Sequence, residues 1–191
     1  MLDLRAPTPP AWLDAVFEDL PAFLADHTLC EKKAFSTGMA LISRYPDSPE
    51  LVTPLLEFCR EELEHFQRMY LVLRARDIAL PREATDVYAR ELRTRVRGGE
   101  AELLDRLLVA GVIEARSCER LFLLSEALPA RDMELAELYL DLARAESRHH
   151  GLFLRLARRF YSDEAALSRA NELLDFEAEL IARLPHRAAV H

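Results

Sequence analysis

The sequence is poor in the residues that extended sheets and disulfide frameworks require. Its 191 residues include five glycines and three cysteines, and clusters of Val, Ile and Thr are few. The shortage of β-branched clusters argues against an extensive sheet. The cysteines lie far apart and form no C-x-x-C pair, which indicates small buried side chains rather than disulfides or a thiolate metal site; they are Cys30, Cys59 and Cys118.

Long hydrophobic runs are also missing, and we expect no leader segment. No apolar stretch approaches the roughly 20 residues that a membrane-spanning helix needs. The start of the chain, MLDLRAPTPPAW, does not combine a basic start with a following apolar stretch, so it is not a secretion signal. We therefore expect a cytoplasmic protein with no membrane partner, a single domain over residues 1–191, and a core bundle over about 21–161.

Long helical patterns separated by short breaks, most of them marked by proline, account for nearly the whole chain. The predicted helices cover residues of about 12–24, 21–45, 48–77, 85–96, 100–128, 131–161 and 164–184, with a bend or restart at Pro21. The four longest form two hairpins joined by a connection over 78–99. An up-down bundle would need no such crossover, so the sequence predicts an all-α, ferritin-like four-helix bundle with one long crossover and extra terminal helices.

Two of the predicted long helices contain the pattern Glu-x-x-His, as Glu62 to His65 and Glu146 to His149. On a helix with about 3.6 residues per turn, positions i and i+3 lie on one face, so a carboxylate and an imidazole can reach one point together. A single such pair arises easily by chance in a Glu-rich helical protein and would then be a surface pair. Two copies on two long helices are more specific.

Each Glu-x-x-His follows a glutamate in the preceding helix at nearly the same separation, namely Glu31 and Glu114. The chain therefore repeats a unit made of one helix with a glutamate, a turn, and a helix with Glu-x-x-His. Ferritin-like di-iron carboxylate proteins use this arrangement. The predicted metal ligands, through which any catalysis would run, are Glu31, Glu62, His65, Glu114, Glu146 and His149.

The surroundings of these glutamates favour metal binding over isolated carboxylates. The turn before Glu114 is almost purely apolar, and a lone carboxylate there would cost several kcal/mol to desolvate. Four carboxylates together would repel one another, whereas two divalent cations balance their charge. Carboxylate and imidazole donors without thiolates suit iron, with manganese as the second choice, so we expect two iron ions.

Three residues near the predicted ligands need separate interpretation. Glu119 could replace Glu114 as a ligand, but it breaks the repeat spacing, so Glu114 is preferred. His150 follows a predicted ligand and points about 100° away from it around the helix, which favours a surface position or a place beside the ligands. Tyr139 lies two turns before Glu146 on the same face, and we expect it to pack in the core.

Beyond the ligand spacing, the strings CEKKA, REELEHF and IEARSCER around the predicted ligands resemble the MiaE family of tRNA hydroxylases. The resemblance covers residues of about 20–160, and all six predicted ligand positions match the family without a departure. It implies a non-haem di-iron monooxygenase that hydroxylates the isopentenyl group of 2-methylthio-N6-isopentenyladenosine next to the tRNA anticodon. It also implies dioxygen as co-substrate, the tRNA anticodon arm as partner, and electrons from a separate reductase.

The charge distribution leaves the nucleic-acid contacts open. A formal net charge of −8 speaks against a nucleic-acid partner, but bound cations would neutralise four of the acids. Arginines cluster in two segments, and either cluster could position the anticodon arm or form an ordinary solvated helix face. The clusters comprise Arg90, Arg93, Arg95 and Arg97 in the crossover and Arg155, Arg158 and Arg159 in the fourth long helix.

Two other functions remain open from the ligand pattern alone. One is a di-iron hydroxylase of a small or quinone-like substrate, for which we expect an exposed apolar docking face. The other is a non-enzymatic, ferritin-like iron-binding protein, for which we expect a cage of many subunits. For the tRNA hydroxylase we expect a monomer or a small homo-oligomer.

Overall fold

The structure is a computed structural model that describes residues 2–82 and 85–191. Within these residues the chain forms seven α-helices and one turn of 3-10 helix, Gly99–Ala101, with no strand. The helices are α1 Ala11–Glu18, α2 Leu20–Arg44, α3 Pro49–Ala75, α4 Val87–Arg93, α5 Glu102–Ala127, α6 Met133–Phe160 and α7 Asp163–Arg183. The predicted all-α class is confirmed. In the described part of the chain, no helix combines the length and the apolar character needed to cross a membrane.

Local capping signals explain where the first helices begin. Asp19 interrupts the first helical pattern, and its carboxylate accepts a hydrogen bond from the backbone N–H of Ala22 at 3.0 Å. Pro21 occupies the first turn of α2, where a missing N–H breaks no intrahelical hydrogen bond. The restart predicted at Pro21 is therefore confirmed. Ser48 and Pro49 begin α3 as the sequence predicts, although the Ser48 side chain makes no capping hydrogen bond.

The described residues form two compact units, each built on a hairpin of long helices. One contains α2 and α3, and the other contains α4 to α7. The division falls inside α1, between Leu13 and Asp14, and the C-terminal segment Arg187–Val190 belongs to the α2–α3 unit. The predicted crossover holds α4, and its residues 83 and 84 lie outside the described part. The single domain over residues 1–191 stays a prediction.

In the α2–α3 unit, the two long helices approach each other closely at Gly38. A Cβ atom added there would lie 2.5 Å from Sγ of Cys59 and 3.0 Å from the Phe58 ring. Gly38 follows Glu31 by two turns of α2. On α3, Cys59 precedes Glu62 by one turn. The glycine therefore sets the separation of the two helices beside the predicted ligands.

In the α4–α7 unit, α5 and α6 approach each other closely at Gly111. A Cβ atom added there would lie 2.9 Å from a side-chain carbon of Leu2 and 3.1 Å from Cβ of Phe153. Gly111 precedes Glu114 by about one turn of α5. On α6, Phe153 follows His149 by one turn. In this unit too, the two helices that carry the predicted ligands approach each other closely at a glycine near those ligands.

A buried ion pair joins α5 to α7 in the α4–α7 unit. The fully shielded guanidinium of Arg116 donates from Nε and Nη2 to the two carboxylate oxygens of Glu177 at 2.8 and 2.9 Å. The Tyr88 hydroxyl on α4 donates to the same carboxylate at 3.0 Å. Burial alone would lower the pKa of Arg116, but the hydrogen bonds and charge of Glu177 raise it. The pair limits the rotation of α5, the helix that carries Glu114.

A second buried carboxylate ties the segment after α4 to α5 and α7. Asp105 on α5 accepts hydrogen bonds from the backbone N–H and the guanidinium of Arg97 at distances between 2.8 and 2.9 Å. It also accepts from Nε of Arg169 on α7 at 2.9 Å. Burial opposes the ionisation of Asp105, but these hydrogen bonds lower its pKa. Arg97, a member of the crossover cluster, therefore stabilises the fold through its hydrogen bonds to Asp105.

Candidate metal centre

Three of the predicted ligands come together in the α2–α3 unit. Glu31 on α2 and Glu62 and His65 on α3 are buried, each with at most 5% of its surface exposed. One ligand atom from each lies within 4.8 Å of those of the other two. Glu62 and His65 lie about one turn apart on one face of α3, as the Glu-x-x-His spacing requires. This unit therefore brings together the half of the predicted ligands that it carries.

His27 belongs to this group, and the sequence pattern did not identify it. Its Nε2 atom lies 2.6 Å from Oε1 of Glu31, one turn later on α2, and both side chains are buried. The other oxygen of Glu31, Oε2, lies 3.7 Å from Nδ1 of His65. The spacing of His27 and Glu31, i to i+4, is visible in the sequence. Pairs with this spacing are common on helices, however, and only the burial of this pair indicates that it belongs to the site.

The other three predicted ligands come together in the α4–α7 unit. Glu114 on α5 and Glu146 and His149 on α6 are buried, each with at most 6% of its surface exposed. One ligand atom from each lies within 4.8 Å of those of the other two. Nδ1 of His149 lies 3.2 Å from Oε2 of Glu146. The two units therefore hold the same set of side chains, two carboxylates and one imidazole.

Glu119, the rejected alternative ligand, interacts with the N-terminal segment. Its carboxylate accepts hydrogen bonds from the backbone N–H and the hydroxyl of Thr8 at 2.8 and 2.6 Å, and it pairs with Arg116. The preference for Glu114 agrees with this position, because Glu114 and not Glu119 lies among the clustered ligand atoms. Tyr139 is fully buried, as its packing interpretation predicts.

His150 is buried, so the surface position that was one of its two expected places is wrong. Only 4% of its surface is exposed, and its Nδ1 atom has no hydrogen-bond partner among the described residues. Burial lowers the pKa of its imidazole. The backbone of α6 at His150 lies close to α5, since a Cβ atom added at Gly111 would lie 3.6 Å from the His150 carbonyl oxygen. The second expectation, a place beside the ligands, stays a prediction.

The cysteines supply no thiolate to either group of ligands. All three are free of disulfides; Cys59 is buried as predicted, whereas Cys30 and Cys118 are partly exposed. Burial raises the pKa of the Cys59 thiol to about 11. Burial, together with the charge of nearby glutamates, also raises the pKa of the Cys118 thiol to about 11. Both are uncharged thiols at neutral pH, and Cys118 donates a hydrogen bond to the carbonyl oxygen of Ala143 at 3.3 Å.

The donor set of each unit fits a divalent metal ion. Two buried carboxylates in one small volume are costly to desolvate, and they repel each other. A divalent cation balances their two charges, and the imidazole adds a further donor. Oxygen and nitrogen donors without thiolates suit iron or manganese better than structural zinc.

The arginines of the two predicted clusters differ in their contacts. In the crossover cluster, Arg97 is bound to a buried carboxylate, and the guanidinium of Arg95 lies 3.8 Å from the centroid of the Phe176 ring. In the cluster on α6, Arg158 pairs with Asp163 at 2.5 Å on the surface. The other members of both clusters are exposed to solvent; they are Arg90, Arg93, Arg155 and Arg159.

Comparison with known proteins connects the chain to tRNA hydroxylases. The family model described as tRNA-(MS2IO6A)-hydroxylase (MiaE) matches residues 2–191. A Pseudomonas putida protein named tRNA 2-(methylsulfanyl)-N(6)-isopentenyladenosine(37) hydroxylase is 39% identical over 180 residues, which cover 93% of this chain and 86% of the relative. A Salmonella typhimurium protein of the same name is 28% identical over 228 residues, which cover 93% of this chain and 83% of the relative.

A solved structure also matches over nearly the full length. It is described as protein 43 with aldehyde deformylating oxygenase activity from Synechococcus, and it agrees with a TM-score of 0.92 and 35% sequence identity. The match covers 98% of this chain and 94% of that chain, and it confirms the predicted ferritin-like fold. Because the family model spans nearly all residues and the P. putida relative shares 39% identity over most of its length, the chain belongs to the MiaE family.

Proposed function

We propose that the protein is a tRNA-modifying monooxygenase that hydroxylates the isopentenyl group of 2-methylthio-N6-isopentenyladenosine next to the anticodon. The observation that carries this proposal is the pair of buried Glu, Glu, His groups in a chain of the MiaE family. The names of the P. putida and S. typhimurium relatives support the same substrate. The fold alone would not select this activity, because one fold hosts many functions.

The proposed cofactor is a pair of iron ions held by the ligands of both units. Four carboxylates balance the charge of two divalent ions, and the donor types suit iron. Bound iron would supply the redox chemistry that activates dioxygen, which side chains do not supply by themselves. The proposed ligands are Glu31, Glu62, His65, Glu114, Glu146 and His149.

The side chains of the protein would bind the two metal ions, hold the ligand atoms in position and shield the centre from water. His65 and His149 would each offer one nitrogen donor to a bound ion, and each glutamate would offer two oxygens. At most 6% of the surface of any ligand is exposed, so bulk water is kept away from the centre. Exclusion of water strengthens the electrostatic interactions inside the site and limits side reactions.

The reaction needs partners besides tRNA. Insertion of one oxygen atom from dioxygen into a C–H bond reduces the other atom to water, which takes two electrons and two protons. We assign these electrons to a separate reductase. We also propose a cytoplasmic location, where the tRNA substrate is found, and a monomer or small homo-oligomer. Light scattering tests the last point, because a cage of many copies would favour iron storage instead.

Arginines on α6 are proposed to hold the phosphates of the anticodon arm. In the crossover cluster, Arg95 and Arg97 are already engaged within the fold. On α6, Arg155 and Arg159 are exposed, and their i to i+4 spacing places them on one face of the helix that carries two ligands. We propose this cluster first because its helix carries two of the proposed metal ligands.

Paired substitutions test this choice. Replacing Arg155 and Arg159 by Gln should weaken tRNA binding and reduce the slope of log affinity against log salt by about 1 per arginine. Replacing Arg90 and Arg93 by Gln on α4 is the control, because these residues are also exposed, although Arg90 pairs with Glu91 at 3.2 Å. An effect confined to the α4 pair would assign the tRNA contact to the crossover cluster.

Nucleoside analysis of tRNA tests the reaction itself. Reduced, iron-loaded protein with dioxygen should add one oxygen atom to the isopentenylated base, and the gain should vanish for Glu114→Ala. Glu126→Ala is the control, because Glu126 is an exposed glutamate on the same helix. Bound iron and consumed oxygen without a modified nucleoside would reject the substrate and leave the metal centre in place.

A second candidate substrate is an aldehyde. It is favoured by the solved Synechococcus structure, which shares 35% identity over 98% of this chain. The same reduced protein should then remove the formyl group from an added aldehyde, with no oxygen added to tRNA. This activity would fall in the class of di-iron enzymes that act on small molecules.

A further inference from the structure

The imidazole of His27 is buried against one oxygen of a proposed metal ligand. Its Nε2 atom lies 2.6 Å from Oε1 of Glu31, and 2% of the His27 side chain is exposed. A buried polar group is costly unless it forms a hydrogen bond, and here the partner is a carboxylate, which makes the bond a strong one. Water hardly competes for this contact, so it persists as part of the fold.

The two oxygens of the Glu31 carboxylate have different surroundings. Oε1 faces His27, whereas Oε2 lies 3.7 Å from Nδ1 of His65, on the side of the other ligands. A donor fixed on one oxygen stops the carboxylate from rotating and leaves the other oxygen directed at a bound ion. The fully buried Phe23 ring stacks on the His27 ring, with centroids 6.1 Å apart, and so holds the donor itself in place.

We propose that His27 is a positioning residue of the metal centre: its Nε2–H holds Oε1 of Glu31 and thereby presents Oε2 to the ion bound by the α2–α3 unit. This inference rests on the proposed metal centre. The corresponding position one turn before Glu114 is Ala110, whose methyl group cannot donate a hydrogen bond. The contact between a histidine and the glutamate one turn later therefore belongs to the α2–α3 unit and is not part of the repeated ligand pattern.

Substitutions at His27 separate hydrogen bonding from packing. His27→Phe keeps a ring in the same apolar surroundings but removes the donor, and His27→Leu is a second variant without a donor. His27→Gln restores a donor, because its amide nitrogen is the same number of bonds from Cα as Nε2. Thr28→Val is the matched control: Thr28 is fully buried on the next position of α2, and its hydroxyl donates only to the Leu24 carbonyl oxygen at 2.8 Å.

The readouts are metal binding and a spectroscopic signature rather than turnover alone. Binding of Fe²⁺ is measured without oxygen against a competing chelator, and Co²⁺ loading reports the ligand geometry through visible absorption. We expect His27→Phe and His27→Leu to weaken binding of one of the two ions by about 10–100-fold and to change the Co²⁺ spectrum. We expect His27→Gln to recover most of both, and Thr28→Val to behave as the unmodified protein.

Every other result of these measurements would reject one of the proposals. Unchanged Fe²⁺ affinity and Co²⁺ spectrum in both variants without a donor would overturn the positioning role. A His27→Gln variant as impaired as His27→Phe would overturn it too, because the ring itself would then be needed. Failure of the unmodified protein to bind two ions would overturn the metal centre and this inference together. Normal metal binding without a hydroxylated nucleoside would reject only the proposed substrate.

Discussion

The two units hold the same ligand set, but they support it with different interactions. In the α2–α3 unit, Glu31 is contacted by the buried imidazole of His27, one turn before it on the same helix. At the matching position of the other unit stands Ala110, and α5 is instead tied to α7 by the buried pair of Arg116 with Glu177. The ligand types and spacing are thus repeated, whereas the supporting interactions are not.

This difference follows from what each helix packs against. In α2 nine of 25 residues are buried, whereas in α5 sixteen of 26 are buried. A helix surrounded on several sides has few solvated positions, so its polar residues must find partners inside the protein. Asp105 and Arg116 on α5 do so through ion pairs with neighbouring segments. A ligand helix can therefore be held by one local hydrogen bond or by long-range ion pairs.

The largest effect is expected when the matching glutamate of each unit is removed. Glu31→Ala and Glu114→Ala each delete one proposed ligand, so each should abolish hydroxylation and weaken metal binding by at least about 100-fold. Nucleoside analysis and Fe²⁺ titration measure both effects. Full activity in either variant would show that the two units are not equally required for hydroxylation.

The next largest effect is expected at the buried ion pair of the α4–α7 unit. Glu177→Gln removes the buried counter-charge of the Arg116 guanidinium and leaves it only the partly exposed carboxylate of Glu119, which should lower the free energy of unfolding by about 3–5 kcal/mol. Urea denaturation measures this loss. Glu179→Gln, an exposed change on the same helix, should stay within about 0.5 kcal/mol of the unmodified protein. Equal effects of the two changes would show that the pair does not support α5.

A smaller, pH-dependent effect is expected at Asp105. Its pKa is lowered in the folded protein despite burial, because Arg97 and Arg169 donate hydrogen bonds to its carboxylate. The group therefore contributes stability above its unfolded pKa of about 3.9, and this contribution is lost as the pH falls through the lower folded value. Asp105→Asn should cost on the order of 3 kcal/mol at pH 7, and the cost should shrink as the pH falls below about 4. Denaturation across this pH range tests the direction of this pH dependence. A loss of stability in Asp105→Asn that does not vary with pH would contradict it.

The smallest effects are expected at the two close helix contacts. Gly38→Ala and Gly111→Ala should each lower the free energy of unfolding by about 1–3 kcal/mol through overpacking, partly offset by up to about 1 kcal/mol of better helix propensity. The contacts that an added Cβ atom would make are 2.5 Å to Cys59 in the first case and 2.9 Å to Leu2 in the second. Thermal unfolding measures the loss. Adding Cys59→Ala to Gly38→Ala should restore stability, and a failure to do so would place the strain elsewhere.

Several features of the fold could be predicted because their signals are local. Apolar periodicity and the breaks at Pro21, Ser48 and Ser162 indicated helices, and for the long helices the predicted ends differ from those of the structure by a few residues at most. The short helix of the crossover was predicted over 85–96 and is shorter, Val87–Arg93, since its ends carry weaker signals. The six ligand positions were predicted from the spacing of Glu and His, and each unit brings its three together.

Other features depended on which faces became buried. Arg95 contacts Phe176, which is far along the chain, and Arg97 pairs with Asp105 on the next long helix. The pattern of charges alone could not tell such fold contacts from phosphate contacts. The angular position of His150 on the helix was compatible with a place on the surface, but its side chain is buried in the folded protein. The cysteines were expected to be buried, and only Cys59 is.

The sequence by itself determined the helices, the repeated positions of the proposed ligands and the family, because periodicity, spacing and similarity are properties of the linear chain. Only the tertiary structure decided which polar groups are shielded from water: the hydrogen bond of His27 to Glu31, the pair of Arg116 with Glu177, and the burial of His150. The physical reason is that the strength of a charge or hydrogen bond depends on the solvent around it, and solvent exclusion is produced by helices that are distant in the sequence.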